Sequence, residues 1–269
     1  MVNAIDPAHP VEFVYGKVRK GGVVTFYEST TNGIQSDGIL YQIIVLAAHE
    51  VEEVETIYLN DDAVTINSTG FVTSDGWSSK VRIYIADGTQ TASSDSFANV
   101  SATITNSIHS ETSVPSTFVG KGLTYLYIRY FFDEDVFSNG LPKVTAVIKG
   151  KKVFDPRNSA TTYSANAALV IRDFITASYG LDDDKIDDTS FQAAANECDE
   201  TVTTSAASES RYEINGIIRA NQAPGKVLSG MSLSCAGTLF YGGGNWKLKA
   251  GAFSNAVKSI DLDDLRSAI

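Results

Sequence analysis

The chain has 269 residues, 43% hydrophobic and 20% charged, which is the composition of a globular protein and not of a disordered one. Its 32 acids against 21 bases give a formal charge of −11, which argues against a protein that grips nucleic acid by neutralising phosphates with clustered Lys and Arg. The length is comfortable for two domains, and no apolar run approaches the roughly 20 residues that a membrane-spanning helix needs.

The first sixty residues read as β structure. Residues 11–18 alternate as a strand, Lys20-Gly21-Gly22 reads as a hairpin turn, and residues 23–27 return. A polar loop over 30–38 leads to the nearly continuous apolar run 40–47, the pattern of a strand covered on both faces. Of residues 50–60, the second half reads as a strand and the first as a loop or short helical turn, ending in a turn at Asn60-Asp61-Asp62. Residues 61–119 are rich in Ser, Thr, Asn, Asp and Gly, with strand-like pieces at 63–66 and 81–85. Phe97, Val100 and Ile104 share a weak helical stripe within 94–108. This stretch reads as an insertion hung on the preceding sheet.

Aromatic and branched residues mark 123–131 as a strand, and Val144, Ala146 and Ile148 alternate with Thr145, Val147 and Lys149 in a second one. Residues 138–142 turn between them. Lys149-Gly150-Lys151 looks like a tight hairpin turn, and Asp155-Pro156-Arg157-Asn158 is expected to stop the sheet. Beyond Asn158 the period becomes helical. Ser164 can cap a helix with Ala168, Ile171 and Ile175 on one face, closed by Gly180. Residues 187–190 can cap a second, running through Phe191, Ala194, Ala195 and Cys198. Residues 201–210 read as a Ser/Thr/Ala linker and 211–218 as a strand. Pro224 starts a third helix with Val227, Leu228, Met231 and Cys235 inward, stopped by Gly237. Residues 238–241 and 246–249 bracket a hairpin turn, and a short helix starts near Asp261. The fold class is thus mainly β with α+β. A β-barrel or sandwich-like domain (1–60 and 120–158) carries a loop-rich Ser/Thr-rich β insertion (61–119). A smaller α+β domain (159–260) follows, with the start of a C-terminal helix at 261–269.

No constellation carries chemistry. His9, His49 and His109 lie far apart in different kinds of segment, so no metal site or Ser-His-Asp arrangement is expected. The acidic run 182–188 fails the calcium-loop pattern because Ile186 stands at a ligand position and the glycine is missing. Asp133 and Asp135 read as a solvated turn and not as a glycosidase pair. Gly242-Gly243-Gly244 lacks the Lys-Ser/Thr and the helix of a phosphate loop. Cys198 and Cys235 read as two buried thiols. No signal peptide is legible in MVNAIDPAHP, so a soluble protein folded in a reducing cytoplasm is expected. No catalytic, cofactor-binding or metal residue is assigned.

An ordered set of segments carries a resemblance. In the first half these are residues 13–22, Ala48-His49-Glu50-Val51, Ile57-Tyr58-Leu59-Asn60, 122–129, 137–142 and 150–157. In the second they are 166–174, Tyr179-Gly180, Ala194-Ala195-Asn196, Cys198-Asp199-Glu200, 211–216 and 244–248. In this order the chain resembles the tail tip attachment protein J family of long-tailed bacteriophages, the central hub of the tail tip. Residues 61–119 match poorly, and Phe118 stands where a tryptophan is expected before Gly120. Family members are usually much longer and end in fibre-like domains that meet the receptor, so the resemblance covers the hub portion only.

The resemblance implies a non-enzymatic structural protein of the virion, assembled in the bacterial cytoplasm and trimeric. Its β domains would build a ring that closes the tail tube and later passes DNA without binding it specifically. Partners would be its own copies and other tail tip and tail tube proteins. The host receptor would be met only through regions absent from this chain. An acidic balance suits a conduit for a polyanion, and edge strands joining across copies would remove an aggregation liability. Two other readings stand beside it. One is a carbohydrate-binding or host-surface adhesion module using Trp77 and Trp246. The other is a tail-associated cell-wall hydrolase.

Overall fold

The computed structural model describes residue 3 and residues 9–30, 38–203 and 207–253. The body of the loop expected over 30–38 and the helix expected from Asp261 lie outside these residues. The first part of the chain supplies β1 (Glu12–Tyr15), β2 (Lys17–Gly21), β3 (Val23–Thr30), β4 (Ile39–Ala47), β5 (Glu53–Leu59), β6 (Asp62–Val64) and β7 (Val81–Asp87). The middle supplies β8 (Thr124–Phe131), β9 (Val144–Lys149), β10 (Lys152–Asp155) and β11 (Ala160–Tyr163). The last part alternates α1 (Ala167–Asp173), α2 (Asp188–Asp199), β12 (Thr201–Thr203), β13 (Ser208–Ser210), β14 (Gly216–Arg219), α3 (Pro224–Ser234), β15 (Thr238–Gly242) and β16 (Asn245–Lys249). The chain is therefore mostly β, with a smaller α+β part.

Two four-stranded antiparallel sheets, ordered β3-β4-β8-β7 and β2-β9-β5-β6, enclose one apolar core. Ile44, Ile83, Leu126 and Ile128 enter it from the first sheet, and Ile57, Leu59, Ala146 and Ile148 from the second. Each of these Ile and Leu side chains contributes roughly 1.5–3 kcal/mol by burial. The period of 2 sends the alternate residues of β8, Tyr125 and Tyr127, to the other face of their sheet. There they meet Phe97, Val100, Ile104 and Ile108. Because both faces are covered, every residue from Thr124 to Tyr130 is buried.

Several turns expected from the sequence are instead crossings between sheets. The strand expected over 11–18 breaks at Gly16, whose φ of +63° suits glycine. Lys20-Gly21-Gly22 is no hairpin, since β2 pairs with β9 whereas β3 pairs with β4. Likewise β9 does not fold back at Lys149-Gly150-Lys151, because β10 pairs with β11. Asp155 to Asn158 therefore turns that hairpin and does not end the sheet. Local glycine and polar residues signal a change of direction without saying which strand is the partner.

The 61–119 stretch contributes β6 to one sheet edge and β7 to the other. Its apolar stripe is buried, but on turns and one π-helical turn, Thr105–His109, and not on the helix suggested over 94–108. Small polar side chains there compete for the backbone: Ser107 Oγ donates to the Thr103 carbonyl, and Asp95 accepts from the amides of Thr91 and Ala92.

The second core gathers Leu169 and Ile171 of α1, Phe191 and Cys198 of α2, and Met231 of α3, with Cys235 and Leu248. Asn166 caps α1 in place of Ser164, accepting from the amides of Ala168 and Leu169, and Asp187 caps α2. A π-helical turn, Phe174–Ser178, extends α1 towards Gly180. The expected linker over 201–210 is a β12–β13 pair, and the strand expected over 211–218 shrinks to β14, which pairs with β1. Cys198 and Cys235 are buried free thiols, and burial pushes Cys198 up to about 11. The β15–β16 hairpin forms as read.

β1 serves both cores. Val14 enters the sandwich core and Tyr15 the α+β core, where the Tyr15 hydroxyl donates to Asp173 Oδ2 at 2.6 Å. His49 braces the same strand: its Nε2 accepts the Val14 amide at 2.9 Å, and its Nδ1 donates to the Glu50 carbonyl at 2.7 Å. These two bonds specify the neutral ring. Burial holds its pKa below the usual 6.5 against the hydrogen bond to Glu50 and the charge of Asp173, with Lys151 and Lys20 adding to the lowering. The folded protein thus binds fewer protons than the unfolded chain below that value. Stability should be full above pH 6.5 and fall as pH drops below it. Urea midpoints between pH 8 and 5.5 should show this slope, and His49→Gln should flatten it.

Candidate functional site

The outer face of the β2-β9-β5-β6 sheet is built from the residues that alternate with the sandwich core. Registered pairing sets Lys17 beside Lys149, and Lys149 beside Glu53. Two lysines facing each other across strands repel. The register shift between Val54 and Thr56 makes Glu55 an extra residue of β5, and both cations find carboxylates. Lys17 lies 2.6 Å from Glu55, and Lys149 lies 2.7 Å from Glu53.

The neighbouring rows continue this arrangement. The Arg19 guanidinium sits 3.8 Å over the Tyr58 ring, donates through Nε to Thr145 Oγ1, and pairs with Asp61. Lys143 approaches Asp61 at 3.7 Å, and Lys152 reaches Glu50 at 2.7 Å. The Lys17 hydrogen bond holds Glu55 below the usual carboxylate range, while Glu53 and Glu50 raise Lys149 and Lys152. For Glu55, Lys149 and Lys152 the pairing thus favours the charged form. Exposed pairs of this kind add little stability. Their effect is on the local field, because each cation is answered by a nearby carboxylate.

A second feature lies on the other sheet. The outer side of β7 is covered, since Ile83 donates to the Gly70 carbonyl, Ala98 donates to Ile85, and Ile85 donates to Asn99 Oδ1. No backbone hydrogen bond reaches the outer side of β3 among the described residues. The strand VVTFYEST carries one charge, Glu28, which Ser113 ties down through its amide and hydroxyl at 2.7 Å each. Beside its first half runs an apolar groove of about 530 Å³ lined by Val11, Val24, Tyr27, Leu46 and Leu123. Val11 is 48% and Tyr27 66% exposed.

Glu12 also lines the groove and is buried in a charged triad. Its carboxylate lies 2.5 Å from Lys20 Nζ and 3.0 Å from Arg219 Nε. Burial opposes ionisation of Glu12, but the two cations outweigh it and hold its pKa low. Burial also pulls Lys20 down, against the attraction of Glu12. Lys20 also donates to the Leu46 carbonyl. This triad was missed in the sequence. Lys20 shares its inward parity with Val18, a signal hidden by reading residues 20–22 as a turn.

The residues weighed for chemistry stay separate. His9 faces Glu12, His49 sits under β1, and His109 bonds the Phe118 carbonyl. Among the described residues no group of three His, Cys, Asp or Glu side chains converges. Within 182–188, Asp187 is a helix cap, Asp183 and Asp188 bind Arg172, and Asp184 binds Lys185. Asp133 pairs with Lys80 and accepts the amides of Asp135 and Val136 in a turn. Gly242, Gly243 and Gly244 lie at the turn of the β15–β16 hairpin. Trp77 packs on Phe137 at the sandwich core, and Trp246 on Tyr241 at the other core, so they share no platform.

No protein family and no curated protein matches the sequence. The fold is similar to that of a solved chain described as "Virion of native gene transfer agent (GTA) particle". The TM-score is 0.56 at 12% identity, over 94% of this chain and 55% of that one. The chain thus spans about half the length of that neighbour. At this identity the likeness is one of fold.

Proposed function

We propose that the chain is a structural component of a phage-like virion. More finely, it is the hub portion of a bacteriophage tail tip, whose copies, three in number, close the tail tube and surround the channel through which DNA leaves. It works by shape and field and not by catalysis, alongside other tail tip and tail tube proteins. Receptor contact belongs to regions outside this chain. The observation that carries the reading is the ion-paired face of the β2-β9-β5-β6 sheet, which we assign to the channel wall.

A bare cation on such a wall would trap each passing phosphate, at a cost multiplied along the polymer. A wall of matched pairs inside an acidic protein lets the chain slide. The fold likeness to a virion chain supports this reading. The separate placement of Trp77 and Trp246 gives the sugar-binding alternative no such support.

The test unpairs the wall. The unaltered protein should not retard duplex DNA at physiological salt. Glu53→Gln, Glu55→Gln and Asp61→Asn together leave Lys17, Lys149 and Arg19 without their carboxylates, and retention should appear. Its logarithmic salt slope should steepen by about 0.9 for each phosphate engaged. DNA held by the unaltered protein, or a triple variant that stays inert, would remove the wall assignment.

A further inference from the structure

We infer that the groove beside β3 receives the 132–141 segment of a neighbouring copy, so that copies join head to tail. This rests on the ring reading above and names the contact that would close the ring.

The groove and the segment lie at opposite ends of one sheet. Val23, Ala47 and Leu123 mark the groove end, where β3 starts, β4 finishes and β8 enters. Phe131 pairs with Ile39 at the other end, and the chain leaves there into residues 132–141. An eight-residue strand at about 3.3 Å per residue separates the two ends by roughly 25 Å. One copy therefore cannot fill its own groove with this segment.

The two surfaces complement each other. The segment exposes Phe132 and Leu141, 53% and 47% accessible, and the groove exposes Val11 and Tyr27. Glu134 and Asp135 are exposed on the segment, exposed Lys121 stands two residues before Leu123 of the groove, and the groove's own acid, Glu12, is already paired with Lys20 and Arg219. The Lys121 ammonium at the rim is thus the base for the segment's two carboxylates, around a contact of apolar with apolar. Contacts between different patches on identical chains generate closed rings when the rotation closes, whereas a self-matching patch stops at a pair. The edge of β3 beside the groove carries no lysine or proline, and among the described residues no backbone hydrogen bond reaches it.

The experiment mixes two full-length variants, Tyr27→Cys and Phe132→Cys, and adds a short bismaleimide. The native thiols Cys198 and Cys235 are buried. A cross-linked product should form in the mixture and not in either variant alone. Charge reversal gives a second reading: Lys121→Glu should weaken association at least about tenfold, and adding Glu134→Lys with Asp135→Lys should restore it. An oligomer with no mixed product, or with Tyr27→Cys coupling to itself, overturns this contact and leaves the ring standing. A chain that sediments as a monomer at every concentration overturns both.

Discussion

Gly150→Ala should destabilise the protein by on the order of 3–5 kcal/mol, as one methyl group placed where two segments of backbone cross. A Cβ at this position would lie 2.2 Å from the Val14 carbonyl oxygen, 2.6 Å from its carbon and 3.1 Å from the Tyr15 nitrogen. None of these atoms belongs to a side chain that could rotate away. The crossing is pinned by two further bonds, from the Gly150 amide to Gly16 and from the Lys151 amide to Val14, both 2.8 Å. Making room would pull β1 from both cores at once. Gly216→Ala is the control, because a Cβ there meets nothing within 4 Å. Urea denaturation of the two variants decides it, and a Gly150→Ala midpoint matching the control would show that the crossing yields easily.

Glu12→Gln should have the next largest effect. It removes the charge that compensates Lys20, whose side chain is 2% exposed. A buried ammonium deprived of its carboxylate costs roughly 3–5 kcal/mol, most of it desolvation no longer offset. Replacing both partners, Glu12→Leu with Lys20→Met, should recover much of that loss, since no buried charge is then left over. Arg219 remains solvated, being about half exposed. The double-mutant cycle therefore predicts strong coupling. Additive losses would mean that each residue acts through its own packed volume and not through the other's charge.

The parts of the fold legible in the sequence were those set by local period. The runs that became β4, β8 and β9 alternate or stay apolar because one or both faces are buried; α2 shows its cap and α3 its leading proline, each with an inward stripe. The choice of partner was not legible. Whether a strand turns back at Lys20-Gly21-Gly22 or crosses to another sheet depends on contacts with β9 and β4, more than a hundred residues and about twenty residues away respectively. The residues of the ion-paired face could be read individually, since Lys17, Arg19 and Lys149 alternate with apolar neighbours. That they answer Glu53, Glu55 and Asp61 required the register, and in particular the irregularity at Glu55. The acidic total said nothing of where on the surface acids and bases pair.

The shared strand has a consequence for how the molecule can come apart. Val14 and Tyr15 are consecutive, yet each is wholly enclosed by a different interior. Neither interior can loosen without withdrawing one side of the same peptide unit, so disorder that begins in the helices reaches the sandwich through a single covalent bond. The two interiors should therefore melt as one cooperative unit, and a cut made between them would yield two incomplete pieces instead of two smaller proteins.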